Sequence, residues 1–113
     1  MITIATYATK RYNYALPNFG RRLASALSYS HESGGQVLFI GDKSDEIKKS
    51  AIEHVADQLP SGWDFRLIQM DIDDTKLKNY KEDAQLLIAQ MQSEAMSQAR
   101  KSRASYFWSL ESD

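Results

Sequence analysis

The 113-residue sequence contains no cysteine. Disulfides, thiolate nucleophiles and cysteine-based zinc sites are therefore excluded. Proline occurs twice and glycine five times, and no internal repeat, linker or low-complexity tract interrupts the chain. Nor does one sign of charge dominate: Lys plus Arg number 14 and Asp plus Glu 15. No global field argues for nucleic acid or an anionic membrane as partner. No apolar stretch approaches the roughly 20 residues needed to span a bilayer. The opening residues Met1–Lys10 lack the charged leader, apolar run and cleavage site of a signal peptide, so the expected location is the cytoplasm. No G-x-G-x-x-G or P-loop pattern follows any strand-like run, which disfavours a dinucleotide or P-loop module. What remains is 42% hydrophobic and 26% charged, an ordinary globular balance. The length fits one domain over residues 1–113.

Hydrophobic periodicity divides the chain into alternating elements. Ile2–Tyr7 is β-branched and apolar and reads as a strand. A polar, aromatic loop is expected over Ala8–Tyr14. Leu16, Phe19, Leu23, Ala26 and Leu27 then recur at helical steps, and Pro17 suits a first helical turn. Gly34 and Gly35 precede Gln36–Ile40, a short apolar run typical of a strand covered on both faces. Ser44 and Asp45 suit the cap of a second helix, with Asp45 and Glu46 at its positive end. Its buried stripe is Ile47, Ala51, Val55 and Leu59. Trp63–Met70 reads as a third strand. From Lys81, Ala84, Ile88, Met91, Ala95 and Ala99 mark one face of a long helix. Unbroken to Arg103 it would be about 34 Å long, against about 20 Å for a six-residue strand. It must overhang the sheet or break near Ser93–Ser97. Ser105–Leu110 reads as a fourth strand. Such alternation predicts an α/β fold with a parallel sheet and right-handed crossovers.

Ligands of open α/β sheets bind beyond the carboxyl ends of the strands. Here those ends are Thr6-Tyr7, Gly41-Asp42, Met70-Asp71 and Glu111–Asp113. Three of the four carry carboxylates, a rim that repels bare phosphate but accepts a divalent cation bridging to it. Glu111 and Asp113 are two residues apart, so on extended backbone they point to one side and can share a hard cation. Aspartate is also common in turns and caps for local hydrogen-bonding reasons, so a structural role for these carboxylates stays open. His31 and His54 lie on separate helices without a ligand-spaced partner. Trp63, Trp108, Phe39 and Phe65 read as core or half-buried sheet residues.

The strand ends carry a resemblance. Ala5-Thr6-Tyr7-Ala8 resembles the Pro-Thr-Tyr-Asn-like turn that closes the first strand of family-2-type, GT-A-fold glycosyltransferases. Phe39–Asp45 is similar to their Asp-Asp-Gly-Ser-Thr-Asp-like loop, one residue shorter. Tyr106–Asp113 looks like their fourth strand with its DxD motif, here Glu111-Ser112-Asp113. The resemblance spans essentially all 113 residues. It implies a three-layer, Rossmann-like parallel sheet of order 3-2-1-4 flanked by helices, of nucleotide-diphospho-sugar transferase type.

By that resemblance Thr6 and Tyr7 would line a nucleoside pocket, and Asp42 would approach the base or ribose. Glu111 and Asp113 would hold Mg²⁺ or Mn²⁺ against the diphosphate of a nucleotide sugar, where the metal acts as a Lewis acid on the leaving group. There are departures. Met96 and Ser97 stand where the family often has Asn and Arg, and Glu111 replaces the first Asp. Arg100, Lys101 and Arg103 lie nearby, but favourable charge at a helix C-terminus accounts for them. Such enzymes place the acceptor site and catalytic base after the DxD motif. The resemblance therefore implies a donor-binding part, truncated at its C-terminus and unable to transfer sugar alone. A non-catalytic Rossmann-like ligand- or partner-binding domain is the alternative. Finally, Tyr106, Phe107, Trp108 and Leu110 would make a large apolar edge. An unpaired apolar edge strand recruits another chain, so a homodimer through the fourth strand is expected. The competing expectation is a monomer whose third helix and N-terminal loop cover that edge.

Overall fold

The computed structural model describes residues 1–31, 34–71 and 80–111. Four strands, β1 (Ile2–Ala8), β2 (Gly35–Asp42), β3 (Trp63–Met70) and β4 (Tyr106–Glu111), alternate with α1 (Leu16–Ser28), α2 (Asp45–His54) and α3 (Tyr80–Lys101). The sheet order is β3-β2-β1-β4, and all three pairings are parallel. This is a Rossmann-like α/β fold. Between β1 and α1 the expected loop is instead a 3-10 segment, Lys10–Ala15. At the carboxyl edge β1 and β4 each reach one residue further than the apolar runs do, to Ala8 and Glu111, and β2 reaches two further, to Asp42.

The two faces of the sheet bury separate cores. Ile4, Ala8, Val37, Phe39 and Trp63 pack on one face with Leu16, Leu23 and Leu27 of α1 and Ile47, Ala51 and Val55 beyond. Ala5, Tyr7, Leu38 and Ile40 pack on the other with Met91 and Ala95 of α3. We call these the α1/α2 face and the α3 face. Strand alternation explains the division, since successive side chains point to opposite sides. Because β1 and β2 are covered on both sides, their runs are continuously apolar instead of alternating.

Local chemistry sets the helix ends. Pro17 occupies the first turn of α1, where its missing N–H costs nothing. Ser44 caps α2, its Oγ accepting from the Glu46 N–H at 3.2 Å. The end of α3 is a Schellman motif: Ala104 N–H bonds Ala99 O, and Arg103 N–H bonds Arg100 O, both at 3.1 Å. Arg103 holds the left-handed position with φ 56°, which glycine usually fills.

Helix α3 runs unbroken for 22 residues, about 33 Å. Met91, Ala95 and Ala99 are buried, but Leu86 and Ile88 are exposed. Ile88 was expected on the buried stripe. It shares that helical face, but there the helix has passed beyond the strand ends and has no sheet beneath it. The other end of α3 is tied down. Buried Gln36 donates to Thr3 Oγ1 at 2.9 Å and to Ser102 Oγ at 2.7 Å, and Ser102 Oγ donates to Ala99 O. This joins β1, β2 and the end of α3.

Helices α1 and α2 meet at Gly20. A Cβ there would overlap the His54 carbonyl, so the two helices approach backbone to side-chain-free backbone. Gly20→Ala is expected to lower stability by about 2–3 kcal/mol, the scale of overpacking in a close contact, read from denaturant midpoints. Arg103→Gly should raise stability by about 1 kcal/mol, because glycine enters the left-handed region without a Cβ penalty.

Candidate functional site

The topology places one crevice. The crossovers through α1 and α2 step from β1 to β2 to β3 on one face, and α3 returns across the other face to bring β4 beside β1. The direction of winding therefore reverses between β1 and β4. At the carboxyl ends of such a pair the flanking loops diverge and leave room for a ligand. The residues at that edge are Thr6–Thr9 of β1 and its continuation, Asp42 of β2, and Leu110 and Glu111 of β4.

Register brings some of the expected residues together and separates others. Tyr7 pairs with Ile40 on one side and Glu111 on the other. Asp42 lies two residues past Ile40, so Tyr7, Asp42 and Glu111 share the α3 side of the sheet by strand alternation. Thr6 points the opposite way, into the α1/α2 layer, and is fully buried. Adjacent residues on a strand cannot line one wall, so Thr6 and Tyr7 do not form a joint surface. Asp113 lies outside the described residues, as do Asp73 and Asp74 of the acidic stretch after β3.

Tyr7 is a wall of this edge more than an open platform. Its ring is buried with 9% exposure, and its hydroxyl shares a 2.7 Å hydrogen bond with Ser109 Oγ. Burial raises its pKa above 10, and the bond to Ser109 partly offsets that by favouring the phenolate. Asp42 is also buried. Its Oδ1 accepts from the Ser44 N–H at 2.9 Å, an Asx turn that bends the chain from β2 into α2. Its backbone carbonyl accepts from Gln69 Nε2 at 3.4 Å. Asp71 is highly exposed and stands 4.0 Å from Lys43, a surface pair of little energetic weight.

Two features at this edge were not anticipated from the sequence. First, Thr6 Oγ1, Thr9 Oγ1 and Asn13 Oδ1 are buried without a hydrogen-bond partner. Thr9 has 7% exposure. An unsatisfied buried polar atom costs about 1–3 kcal/mol, and native folds tolerate few. Three of them cluster in sequence at the end of β1 and the 3-10 segment after it. Second, a groove of about 460 Å³ runs between α1 and β4 on the α1/α2 side, lined by Tyr14, Asn18, Phe19, Arg22, Trp108 and Leu110 among others. Alternation assigns Glu111 to the α3 side, yet it also lines this groove; as the last residue of an edge strand it borders both. A signal existed for the helical wall. Tyr14, Asn18, Arg22 and Ala26 recur every four residues, a second stripe beside the buried one.

Oxygen ligands for a hard cation are present, but dispersed. Among the described residues no group of three His, Asp or Glu side chains is placed to hold a metal ion, and no helix is long and apolar enough to cross a membrane. Compared with models of protein families, with curated proteins and with solved structures, the chain matches none.

The raised pKa of Tyr7 gives a signed expectation. The fold favours its neutral form, so this group costs no stability below pH 10, and stability falls as the pH rises through 10 toward the folded-state value. Ser109→Ala removes the bond that favours the phenolate and should push the Tyr7 titration higher still. Ultraviolet difference titration of tyrosinate, with Tyr7→Phe as the blank, measures it.

Proposed function

We propose that this chain binds a nucleoside-diphosphate sugar at the carboxyl edge of β1 and β4, as the donor-binding unit of a GT-A-type glycosyltransferase. The observation that carries the reading is the pair of unsatisfied atoms Thr9 Oγ1 and Asn13 Oδ1, just past the carboxyl end of β1 and beside the winding reversal of the sheet. Hydroxyl and amide groups left unpaired there are suited to a polar ligand or to the ordered water that would accompany it. The strand order agrees with the resemblance of the three strand-end motifs, which points to the same edge.

Within this reading Tyr7 and Asp42 form the wall and floor next to the nucleoside. Asp42 holds the turn into α2 through Ser44, and Tyr7 is held against β4 through Ser109. Both are thus preorganised, which lowers the cost of ordering on binding. Glu111 and Asp113 would hold Mg²⁺ or Mn²⁺. A pair of carboxylates fits such a cation, because Mg²⁺ is commonly held by one or two carboxylates together with substrate phosphates. A site of this kind is completed by the ligand and needs no third acidic side chain. When bound, the cation stabilises charge on a departing diphosphate.

Calorimetry with UDP and GDP, with and without Mn²⁺, tests the proposal. Binding is expected only with Mn²⁺, and Glu111→Gln should weaken that Mn²⁺-dependent binding at least tenfold. Thr9→Val removes an unsatisfied hydroxyl with little change of shape. It should leave the unliganded fold as stable or more so, while weakening nucleotide binding several-fold. Binding indifferent to Mn²⁺, to Glu111→Gln and to Thr9→Val would leave the non-catalytic Rossmann-like binding domain as the better reading.

A further inference from the structure

The groove between α1 and β4 opens on a different face from the wall made by Tyr7 and Asp42. Its strand side is Trp108 and Leu110, which pair in register with Ile4 and Thr6 of β1. Ile4 belongs to the α1/α2 core. At about 460 Å³ the groove has the size of a small-molecule site.

The groove also has a direction. Helix α1 runs antiparallel to the strands, because it returns the chain from the end of β1 to the start of β2. Residues that precede or open α1 therefore stand beside the end of β4, and later ones beside its middle. Tyr14 is at the Glu111 end. Arg22, about two helical turns or 12 Å further along, is at the Trp108 end, and Glu111 lies about 10 Å beyond Trp108 on β4. The two charged residues of the lining are thus at opposite ends. Among the described residues neither side chain makes a hydrogen bond or an ion pair. By contrast Arg21, next to Arg22, is engaged with Asn18 Oδ1.

Between those ends the lining is apolar. Phe19 is partly buried and Trp108 is 52% exposed, so each ring keeps surface that a ligand can cover. An exposed arginine alone is an ordinary solvated charge. Arg22 differs in standing beside aromatic surface, with an acidic residue at the far end of the same groove.

We infer that this groove binds a planar aromatic acid, a small single or fused ring system bearing one carboxylate. The ring lies between Phe19 and Trp108, where stacked or edge-to-face contacts hold it. The carboxylate accepts two parallel N–H···O bonds from the Arg22 guanidinium, which fixes its orientation. Glu111 excludes the reverse orientation, since that would set carboxylate beside carboxylate. The same lining disfavours a sugar. Its hydroxyls would need several partners in place of water, whereas Ala15, Leu23, Ala26 and Leu110 occupy much of the wall and Asn18 Oδ1 already accepts from Arg21. The site stands apart from the proposed nucleotide edge, with which it shares Glu111 alone, and does not depend on it.

The chain has two tryptophans. Trp108 lines the groove and Trp63 is buried in the core, so their indole N–H signals in a heteronuclear correlation spectrum report the two places separately. Trp63→Phe assigns them. Titration with naphthoate should move the Trp108 signal saturably and leave that of Trp63 in place. Arg22→Gln should weaken naphthoate binding about tenfold, and neutral naphthamide should bind the unaltered chain about tenfold more weakly than naphthoate, the scale of a charge-assisted pair. Naphthamide should be indifferent to Arg22→Gln. Arg22→Lys keeps the charge without the planar fork and should fall between. Lys48→Gln makes the same change in net charge on exposed α2 surface and should leave the affinity as it was. A Trp108 signal unmoved at a few millimolar naphthoate overturns the inference. So does equal binding of acid and amide, or a stronger response to maltose than to naphthoate. Displacement of naphthoate by UDP with Mn²⁺ would put the nucleotide in this groove and overturn a separate site, whereas failure of UDP to bind at all would count against the nucleotide reading alone.

Discussion

Six residues of β1, Ile2–Tyr7, lie paired between β2 and β4, and both faces of that strand are buried beneath helices. A strand in this position has no solvent face on which to place polar side chains. Its Thr3 must be satisfied from inside, and Gln36 does so while also bonding Ser102 at the end of α3. Loss of that link would leave buried polar groups unpaired and free the C-terminal turn of α3 from the sheet. The position of β4 follows in turn, because α3 delivers it beside β1 through the Arg103 turn.

The same strand meets a different fate at its two ends. At the amino end, every polar side chain noted on the α3 face has a partner. At the carboxyl end, Thr6 and Thr9 do not. Their burial arises because α1 begins directly after the 3-10 segment and covers the strand's continuation. Polar atoms that a fold encloses without satisfying are a departure from its own economy, and such departures concentrate where a ligand completes the structure.

Edge chemistry separates the two outer strands in a similar way. β3 is half-buried and carries charges toward solvent; β4 is largely exposed and carries aromatic rings. Burial energy scales with apolar area removed from water, so Tyr106, Phe107 and Trp108 hold most of the unused driving force at the sheet's edges. Trp108 forms one wall of the groove against α1, whereas Phe107 lies on the other face against α3. The groove lies at the α1–β4 junction, beside the β1–β4 pair where the direction of winding reverses.

Most of the architecture was legible in the chain itself. Continuous apolar runs in Ile2–Tyr7 and Gln36–Ile40 marked doubly covered strands, and the helix stripes Leu16–Leu27 and Ile47–Val55 were readable from spacing, because burial patterns are local consequences of period. Ser44 announced its cap for the same reason. The 3-10 segment was not legible, since Lys10–Ala15 has no periodic signal to separate it from a loop. Nor was the exposure of Ile88, which depends on where the sheet stops beneath α3. At the site, sequence identified the strand ends and their carboxylates but not which side chains could act together. That Tyr7, Asp42 and Glu111 share a face while Thr6 turns away is decided by the pairing register. That Tyr7 is bonded to Ser109, 102 positions along the chain, is decided by α3 carrying β4 back to β1. Periodicity is written in neighbouring residues. Register, the satisfaction of buried polar atoms and the openness of an edge exist only between segments distant in sequence, so only the assembled fold could determine them.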